Sequence, residues 1–350
     1  MSNLHRARRS LGCWGQSPRR EDPAMPRPPR MLLLTLVAVL AALPVIVTAF
    51  SPWAGATSVL VLSLLPVLGV ARGGIRSMVL VSAAAAVTVL VSLLLVQTGP
   101  LLPWLGTALV IGLAVLASPL VKIGRESTGA LVIVLAVYLM AVPDSASAPF
   151  ASMGPLGVAV ALGALVAFTT AWASAVIWLA LRRVRIPASE VPPPTLPYTL
   201  LLAFLAGLFT FVTLMWFRET NAWWSVLTVA VVLQPTGAKL ASRVLARVAG
   251  TVLGGVIAYA VAVWVPAEAV TLVGGVAALV TAVLKLTARP YWAYAAALTV
   301  TIVLTSFAPR EVLAGDAMRV GITVAAALLT AAAAVVVARF LPARPASSER

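Results

Sequence analysis

The chain alternates long apolar runs with short polar stretches between residues 31 and 341. About twelve of these runs approach the ~20 residues that an α-helix needs to cross a hydrocarbon core. Each run is predicted to be helical, because backbone amides without partners cannot face lipid. The pattern therefore predicts an all-α, polytopic membrane protein. The predicted spans are 31–50, 53–71, 78–96, 100–121, 128–142, 156–180, 198–217, 222–236, 248–266, 269–286, 290–307 and 318–341.

A Pro-rich polar stretch at residues 183–197 divides these runs into two sets of six. We expect it to be a linker between a first half, residues 31–182, and a second half, residues 198–342. Because six is even, both halves enter the membrane in the same orientation and form a parallel repeat, which is typical of transporters. The eighth run is short and contains a proline, which marks it as a candidate for the substrate path. The first half is interpreted as a degenerate copy.

Charge sets the predicted topology. The 350 residues are 61% hydrophobic and 10% charged, which excludes a soluble domain, and the net charge is +15. Of 25 Lys and Arg residues, only Arg218, Arg310 and Arg319 fall in one of the two alternating sets of connections. The other set, with the basic, disordered tail 1–30 and the tail 343–350, is predicted to be cytoplasmic. A composition rich in Ala and Arg is typical of a high-GC bacterium.

Several kinds of chemistry are excluded by residue usage. The one cysteine, Cys13, and the one histidine, His5, both lie in the N-terminal tail. An intramolecular disulfide, a His/Cys metal site and His-based catalysis within the membrane are therefore excluded. Basic residues lie between apolar runs and are not clustered with aromatics, which argues against nucleic acid as a partner. We expect no enzyme activity, no cofactor and no metal.

The principal candidate site is a stripe of basic residues, Lys239, Arg243 and Arg247, which are four residues apart and share one face of a helix. One interpretation is a cationic mouth that concentrates anionic substrates at the cytoplasmic end. The alternative is that these residues only fix topology and extend toward lipid headgroups. Other basic residues predicted to join the mouth are Arg72, Arg76, Lys285 and Arg289.

Two further features accompany the stripe. Gln234 and Thr236 flank a proline that frees a backbone carbonyl, so they are candidates for substrate hydrogen bonds, or else mark a simple kink. Aromatic residues near span ends are interpreted as an interfacial belt, with an aromatic wall for a planar substrate as the alternative. They are Trp216, Trp223, Trp224, Tyr291 and Trp292. Residues predicted to serve helix packing are Gly250, Gly254, Gly255, Pro235 and Pro66.

One stretch resembles a known family. Residues 222–255 contain W-x-x-L-T-V beginning at Trp224, then Gln234-Pro235, then R-x-x-G-T-x-x-G beginning at Arg247. These elements are similar to the FUSC family, the fusaric acid resistance and aromatic acid exporter group. Asp316, Arg319 and Gly321 resemble the start of that family's last helix. The resemblance implies export of organic, including aromatic, anions across the bacterial inner membrane, where we expect the protein. Plant malate channels, distant relatives of similar design, suggest a central path between two six-helix units.

The leading functional prediction is therefore a transporter that exports organic anions along a path between the two halves. Its expected partners are the lipid bilayer, a small organic anion, and a second copy of the chain or an accessory efflux subunit. One alternative is a membrane scaffold or subunit of an envelope complex that does not itself transport. A membrane enzyme acting on lipid-linked substrates is a further alternative, but no set of clustered carboxylates or nucleophiles supports it.

Overall fold

The computed structural model describes residues 30–70, 74–121, 126–182, 196–233, 240–286, 290–306 and 312–340. These ranges are almost entirely helical and contain no strand, which confirms the all-α class. The predicted tails and most of the linker lie outside them, so the domain limits stay predictions. The α-helices are α1 (Arg30–Ala41), α2 (Leu43–Ala49), α3 (Thr57–Val70), α4 (Ile75–Val96), α5 (Leu102–Val121), α6 (Glu126–Ala141), α7 (Pro143–Ser147), α8 (Gly154–Leu181), α9 (Leu196–Trp216), α10 (Trp224–Val232), α11 (Leu240–Trp264), α12 (Ala267–Leu286), α13 (Tyr291–Ser306) and α14 (Val312–Phe340).

Six described helices are long and apolar enough to cross a bilayer: α4, α5, α8, α9, α11 and α14. The pair α1 and α2 adds a seventh crossing if it counts as one span bent by 53°. Pro44 lies in the first turn of α2, where its missing N–H is tolerated, so the chain can restart a helix after the bend. The other predicted spans coincide with shorter apolar helices. The chain is a multi-pass membrane protein, and about twelve spans stays a prediction.

Four of the shorter helices, α3, α6, α10 and α13, lie in the interior of the bundle. Residues 131–141 of α6 and 224–230 of α10 are buried without exception. Because protein surrounds these helices, their length need not match the bilayer as a lipid-facing span must. The eighth run was predicted to be helical over 222–236, whereas α10 ends at Val232 and Leu233 is already extended.

Several helix pairs at matching positions in the two predicted halves make the same contacts, although α3 packs against α6 and the matching pair, α10 and α13, does not pack comparably. In the first half, α4 packs against α6 and α8, and α5 packs against α6. In the second half, α11 packs against α13 and α14, and α12 packs against α13. Between the halves, α6 contacts α10 and α3 contacts α13. One hydrophobic core draws residues from both halves and connects them.

Two seams between the halves differ in how tightly they close. In the seam between α5 and α9, here called the closed seam, a Cβ at Gly106 would lie 2.7 Å from Leu214 Cδ1. A Cβ at Gly207 would lie 2.9 Å from Ile111 Cγ1. In the open seam, α12 faces α1, α2 and α3 across a cavity of about 210 Å³. Glycine therefore permits close approach in one seam, while the other retains a void.

Candidate functional site

Helix α11 carries two of the predicted basic residues, Arg243 and Arg247, on successive turns. Arg247 is fully buried and Arg243 is half-buried. Gly250 and Gly254 follow Arg247 on the same side of the helix, because residues three and seven positions apart share one face. The same face of α11 thus bears a buried cation and two glycines.

The two glycines bring α11 against α13. A Cβ at Gly250 would lie 2.5 Å from the carbonyl oxygen of Trp292, and one at Gly254 would lie 2.5 Å from that of Ala296. Any larger residue would push the two backbones apart, which is the usual reason for small residues between membrane helices. Gly255 is also buried on α11. The close contact holds the Arg247 side chain at the surface of α13.

Arg247 has 0% of its surface exposed. Within the described part of the chain, its Nε, Nη1 and Nη2 atoms have no hydrogen-bond partner. The Tyr291 hydroxyl of α13 lies beside the guanidinium and interacts with it electrostatically, but the two do not form a well-aligned hydrogen bond. Neither α11 nor α13 contains an Asp or Glu residue. The guanidinium therefore lies beside a hydroxyl but has no carboxylate partner on either of the two helices that hold it.

Lys285 of α12 extends this group of cations. Its Nζ lies 5.2 Å from the ring centroid of Tyr294 on α13, a cation–π contact. The rings of Tyr291 and Tyr294 are 6.2 Å apart, so Arg243, Arg247 and Lys285 surround two neighbouring tyrosines of α13. Tyr294 also belongs to the core that both halves share. The name cationic cluster is used below for five residues: Arg243, Arg247, Lys285, Tyr291 and Tyr294.

A second buried arginine, Arg319, lies on α14. Its Nη1 donates a hydrogen bond to the Thr299 carbonyl oxygen at 3.1 Å, and its guanidinium lies 3.5 Å from the ring centroid of Trp224. The predicted span 318–341 placed Arg319 at its very start, where we counted it with a polar connection; that connection assignment is wrong, because α14 already begins at Val312 and Arg319 is 0% exposed within it. The sequence signal was a basic residue followed by an apolar run, which we interpreted as a helix boundary.

Buried hydroxyls accompany both arginines in the second half. The hydroxyls of Thr251 on α11, Thr299 on α13 and Thr323 on α14 have no partner among the described residues. Membrane helices normally satisfy such hydroxyls through a carbonyl oxygen three or four residues earlier. The second half therefore holds several buried donors whose bonds are not made by their own helices.

The aromatic residues do not form one belt. Trp223 and Trp224 are buried and stack on each other with centroids 4.2 Å apart. Tyr138 of α6 meets Trp223 edge-on at 4.9 Å. The interfacial interpretation is wrong for these two tryptophans, because they are buried where the interior helix α6 and the long helix α14 pack against this segment. Trp216 and Trp292 are exposed, and their positions are compatible with a belt.

The remaining predicted residues are dispersed or undescribed. Arg76 is exposed near the start of α4, and Pro66 is buried inside α3, not at its end. The following predicted residues lie outside the described ranges: Arg72, Gln234, Pro235, Thr236, Lys239 and Arg289. Tyr294 and Thr299 were not predicted as site residues. A tyrosine or threonine in an apolar helix gives no signal of its own unless its neighbours in space are known.

Apolar helices long enough to cross a bilayer, with cations buried between them, indicate a multi-pass membrane protein of the transporter type. Residues 195–340 are similar to the family model described as fusaric acid resistance protein-like. The match confirms the resemblance predicted from the motifs of residues 222–255. No curated protein and no solved structure matches the chain.

Proposed function

We propose that the protein exports organic anions, including aromatic ones, across a bacterial inner membrane, and that Arg247 binds the anion. The observation that supports this proposal most directly is the burial of the Arg247 guanidinium beside Tyr291. Neither of the two helices that hold it supplies a carboxylate. A negatively charged ligand would complete the site.

The energetics of burial favour an anion as the missing partner. Removing an ion from water costs several kcal/mol even after the protein relaxes, and this cost is offset only by a partner of opposite charge. Arginine also offers a planar set of donors that matches the two oxygens of a carboxylate. The Tyr291 hydroxyl and the Thr251 hydroxyl, one turn along α11, are buried donors suited to further bonds. Organic carboxylates fit this set.

An entry route follows from the rest of the cluster. Arg243 is half-buried one turn before Arg247, on the side predicted to face the cytoplasm. Lys239, outside the described residues, continues the same stripe. Cations in a cleft with low-dielectric walls concentrate anions and speed their arrival. We propose that Arg243 and Lys239 attract the anion and pass it to Arg247, and that Gln234 and Thr236 line the same entrance.

We also propose that the chain crosses the membrane about twelve times as two six-helix halves, with both termini in the cytoplasm. The contacts shared by α4, α6 and α8 and by α11, α13 and α14 support a repeat. The path would run between the halves, since Tyr294 of the cationic cluster packs in the core that they share. Lys285 would then face the path from α12.

Transport by the purified protein in lipid vesicles tests this function. Vesicles carrying Arg247→Gln should take up benzoate, an aromatic probe, roughly tenfold or more slowly than wild type, because a hydrogen bond to a charged group contributes about 1.5–3 kcal/mol. Arg339→Gln is the matched control, since Arg339 is exposed at the end of α14 and its loss changes net charge equally.

Each outcome has a defined meaning. Flux lost in Arg247→Gln and kept in Arg339→Gln supports the transporter and its site. Equal flux in both variants contradicts the role of Arg247. No flux in wild type, with a partner protein that copurifies stoichiometrically, contradicts transport by this chain and supports a scaffold or an efflux subunit.

A further inference from the structure

The cavity of the open seam is apolar. Its walls come from α1, α2 and α3 on one side and from α12 and α13 on the other. Three threonines supply its polar lining. The hydroxyl oxygens of Thr281 and Thr301 lie 3.2 Å apart, and each hydroxyl donates its one hydrogen to the carbonyl oxygen four residues earlier in its own helix, so both are satisfied. The Thr57 hydroxyl has no partner among the described residues. A space of this kind suits hydrocarbon better than an anion.

Gly275 shows that the cavity is unfilled where a side chain would fit. It lines the cavity from α12, and a Cβ placed on it would meet no heavy atom within 4 Å. The glycines of the closed seam behave in the opposite way, because Cβ atoms at Gly106 and Gly207 would overlap side chains of the facing helix. Gly275 is exposed, so this open space lies where the cavity reaches the surface of α12. A larger residue at Gly275 would therefore occupy the mouth of the cavity.

The rim of the cavity faces the surface that lipid would cover. Ile46 of α2, Phe50 just after α2, and Leu272 and Val276 of α12 line the cavity and are exposed. In a bilayer these side chains lie in hydrocarbon, so the cavity is continuous with the acyl chains around the protein. An apolar cavity of about 150 Å³ holds a benzene ring, so 210 Å³ accommodates a stretch of acyl chain.

A cation lies at one end of the cavity. Thr281 and Ala282 line it, and Lys285 follows them by four and three residues, which places it one turn further on the same face of α12. This end is the one predicted to face the cytoplasm. Lysine at a membrane interface attracts the phosphate of lipid headgroups. An inner-leaflet phospholipid would thus have its headgroup at Lys285 and its chain in the cavity.

We propose that the open seam binds one acyl chain of an anionic phospholipid from the inner leaflet, with Lys285 beside the headgroup. The site shares Lys285 with the cationic cluster but does not include Arg247, and its test does not depend on whether the protein transports anions. The lipid fills the open seam, whereas in the closed seam glycines let α5 and α9 pack directly. The bound lipid therefore completes the contact between α12 and the first half.

Photocrosslinking tests the proposal. The protein is placed in vesicles containing phosphatidylglycerol with a diazirine on its acyl chain, and labelled peptides are identified after illumination. In wild type, labelling should concentrate on residues 39–50 and 272–282, several-fold above the exposed face of α5. Gly275→Leu should reduce that labelling at least fivefold, because the leucine occupies the cavity. Gly112→Leu is the matched control, since Gly112 is exposed on α5 and also has open space around it.

The results test the acyl-chain site and the headgroup assignment separately. Even labelling of all exposed helices in wild type, or undiminished labelling in Gly275→Leu that keeps the wild-type melting temperature, overturns the site. Lys285→Gln should keep the chain in the cavity but lose the preference for phosphatidylglycerol over phosphatidylcholine carrying the same label. A preference unchanged by Lys285→Gln overturns the headgroup assignment. Anion flux is not a readout here, so failure of the transport proposal would leave these results interpretable.

Discussion

The two halves share a set of helix contacts but bury different chemistry. Every buried polar side chain that the structure describes in the first half is a serine or threonine. Several of these hydroxyls bond within their own helix, as Ser63 does to Leu60 and Thr170 to Val166. The second half buries two arginines, Arg247 and Arg319. Buried hydroxyls without described partners occur in both halves, for example at Thr169 and Thr251.

This difference distinguishes a half that supports the helix bundle from a half that can bind a ligand. A hydroxyl that bonds to its own helix is satisfied in any membrane environment and leaves no binding capacity. A guanidinium has five donors and no such local acceptor, so it requires partners from elsewhere. We infer that the first half supports the bundle, while the second half carries the chemistry. The predictions below compare a substitution in each half.

The largest difference is expected at glycines between helices. Gly250→Ala should destabilise the protein by roughly 2–3 kcal/mol, because overpacking forces α11 away from the α13 backbone. Gly163→Ala in α8 is the control: its Cβ would lie 3.7 Å from the Ala86 carbonyl oxygen, an ordinary contact. It should be neutral or stabilising by up to about 1 kcal/mol, since Gly lowers helix stability. Thermal unfolding in detergent measures both, and equal effects would contradict the tight α11–α13 contact.

The next difference concerns two cation–π pairs. Arg319 lies 3.5 Å from the Trp224 centroid inside the second half, and Arg182 lies 5.6 Å from the Trp178 centroid at the exposed end of α8. Double-mutant cycles should give a coupling of about 2 kcal/mol for the buried pair and about 0.5–1 kcal/mol for the exposed pair. Similar couplings would show that burial of Arg319 adds nothing to its interaction with Trp224.

The smallest difference concerns single hydroxyls. Ser82 of α4 and Ser174 of α8 lie within hydrogen-bond distance at 3.3 Å, so Ser82→Ala should cost about 0.6 kcal/mol and leave benzoate flux unchanged. Thr251→Val should not reduce stability, because its hydroxyl has no described partner. It should instead weaken benzoate binding about two- to tenfold, as expected for loss of one hydrogen bond. Calorimetric melting and flux assays distinguish the two, and a reversed pattern would contradict the assignment of the halves.

The sequence predicted the positions of the helices better than it predicted which helices pack against each other. Each predicted apolar run coincides with a described helix, because hydrophobic length is a local property of the chain. Whether a helix faces lipid or protein is set by its neighbours in space, so the interior position of α10 and the burial of Trp223 were not predicted. Arg247 was found through its spacing and motif. Arg319 was misplaced, since its burial depends on Trp224 of a helix distant in sequence.

Anion-dependent thermal stabilisation of the purified protein tests the central claim most directly. Benzoate at about 100 times its dissociation constant should stabilise wild type by about 2.7 kcal/mol. Arg247→Met should unfold at the same or a higher temperature than wild type without anion, because it removes a buried charge that lacks a partner, and should show no benzoate-dependent shift. Arg339→Met should keep the full shift. An equal benzoate shift in Arg247→Met and wild type would contradict the claim that this guanidinium binds the anion.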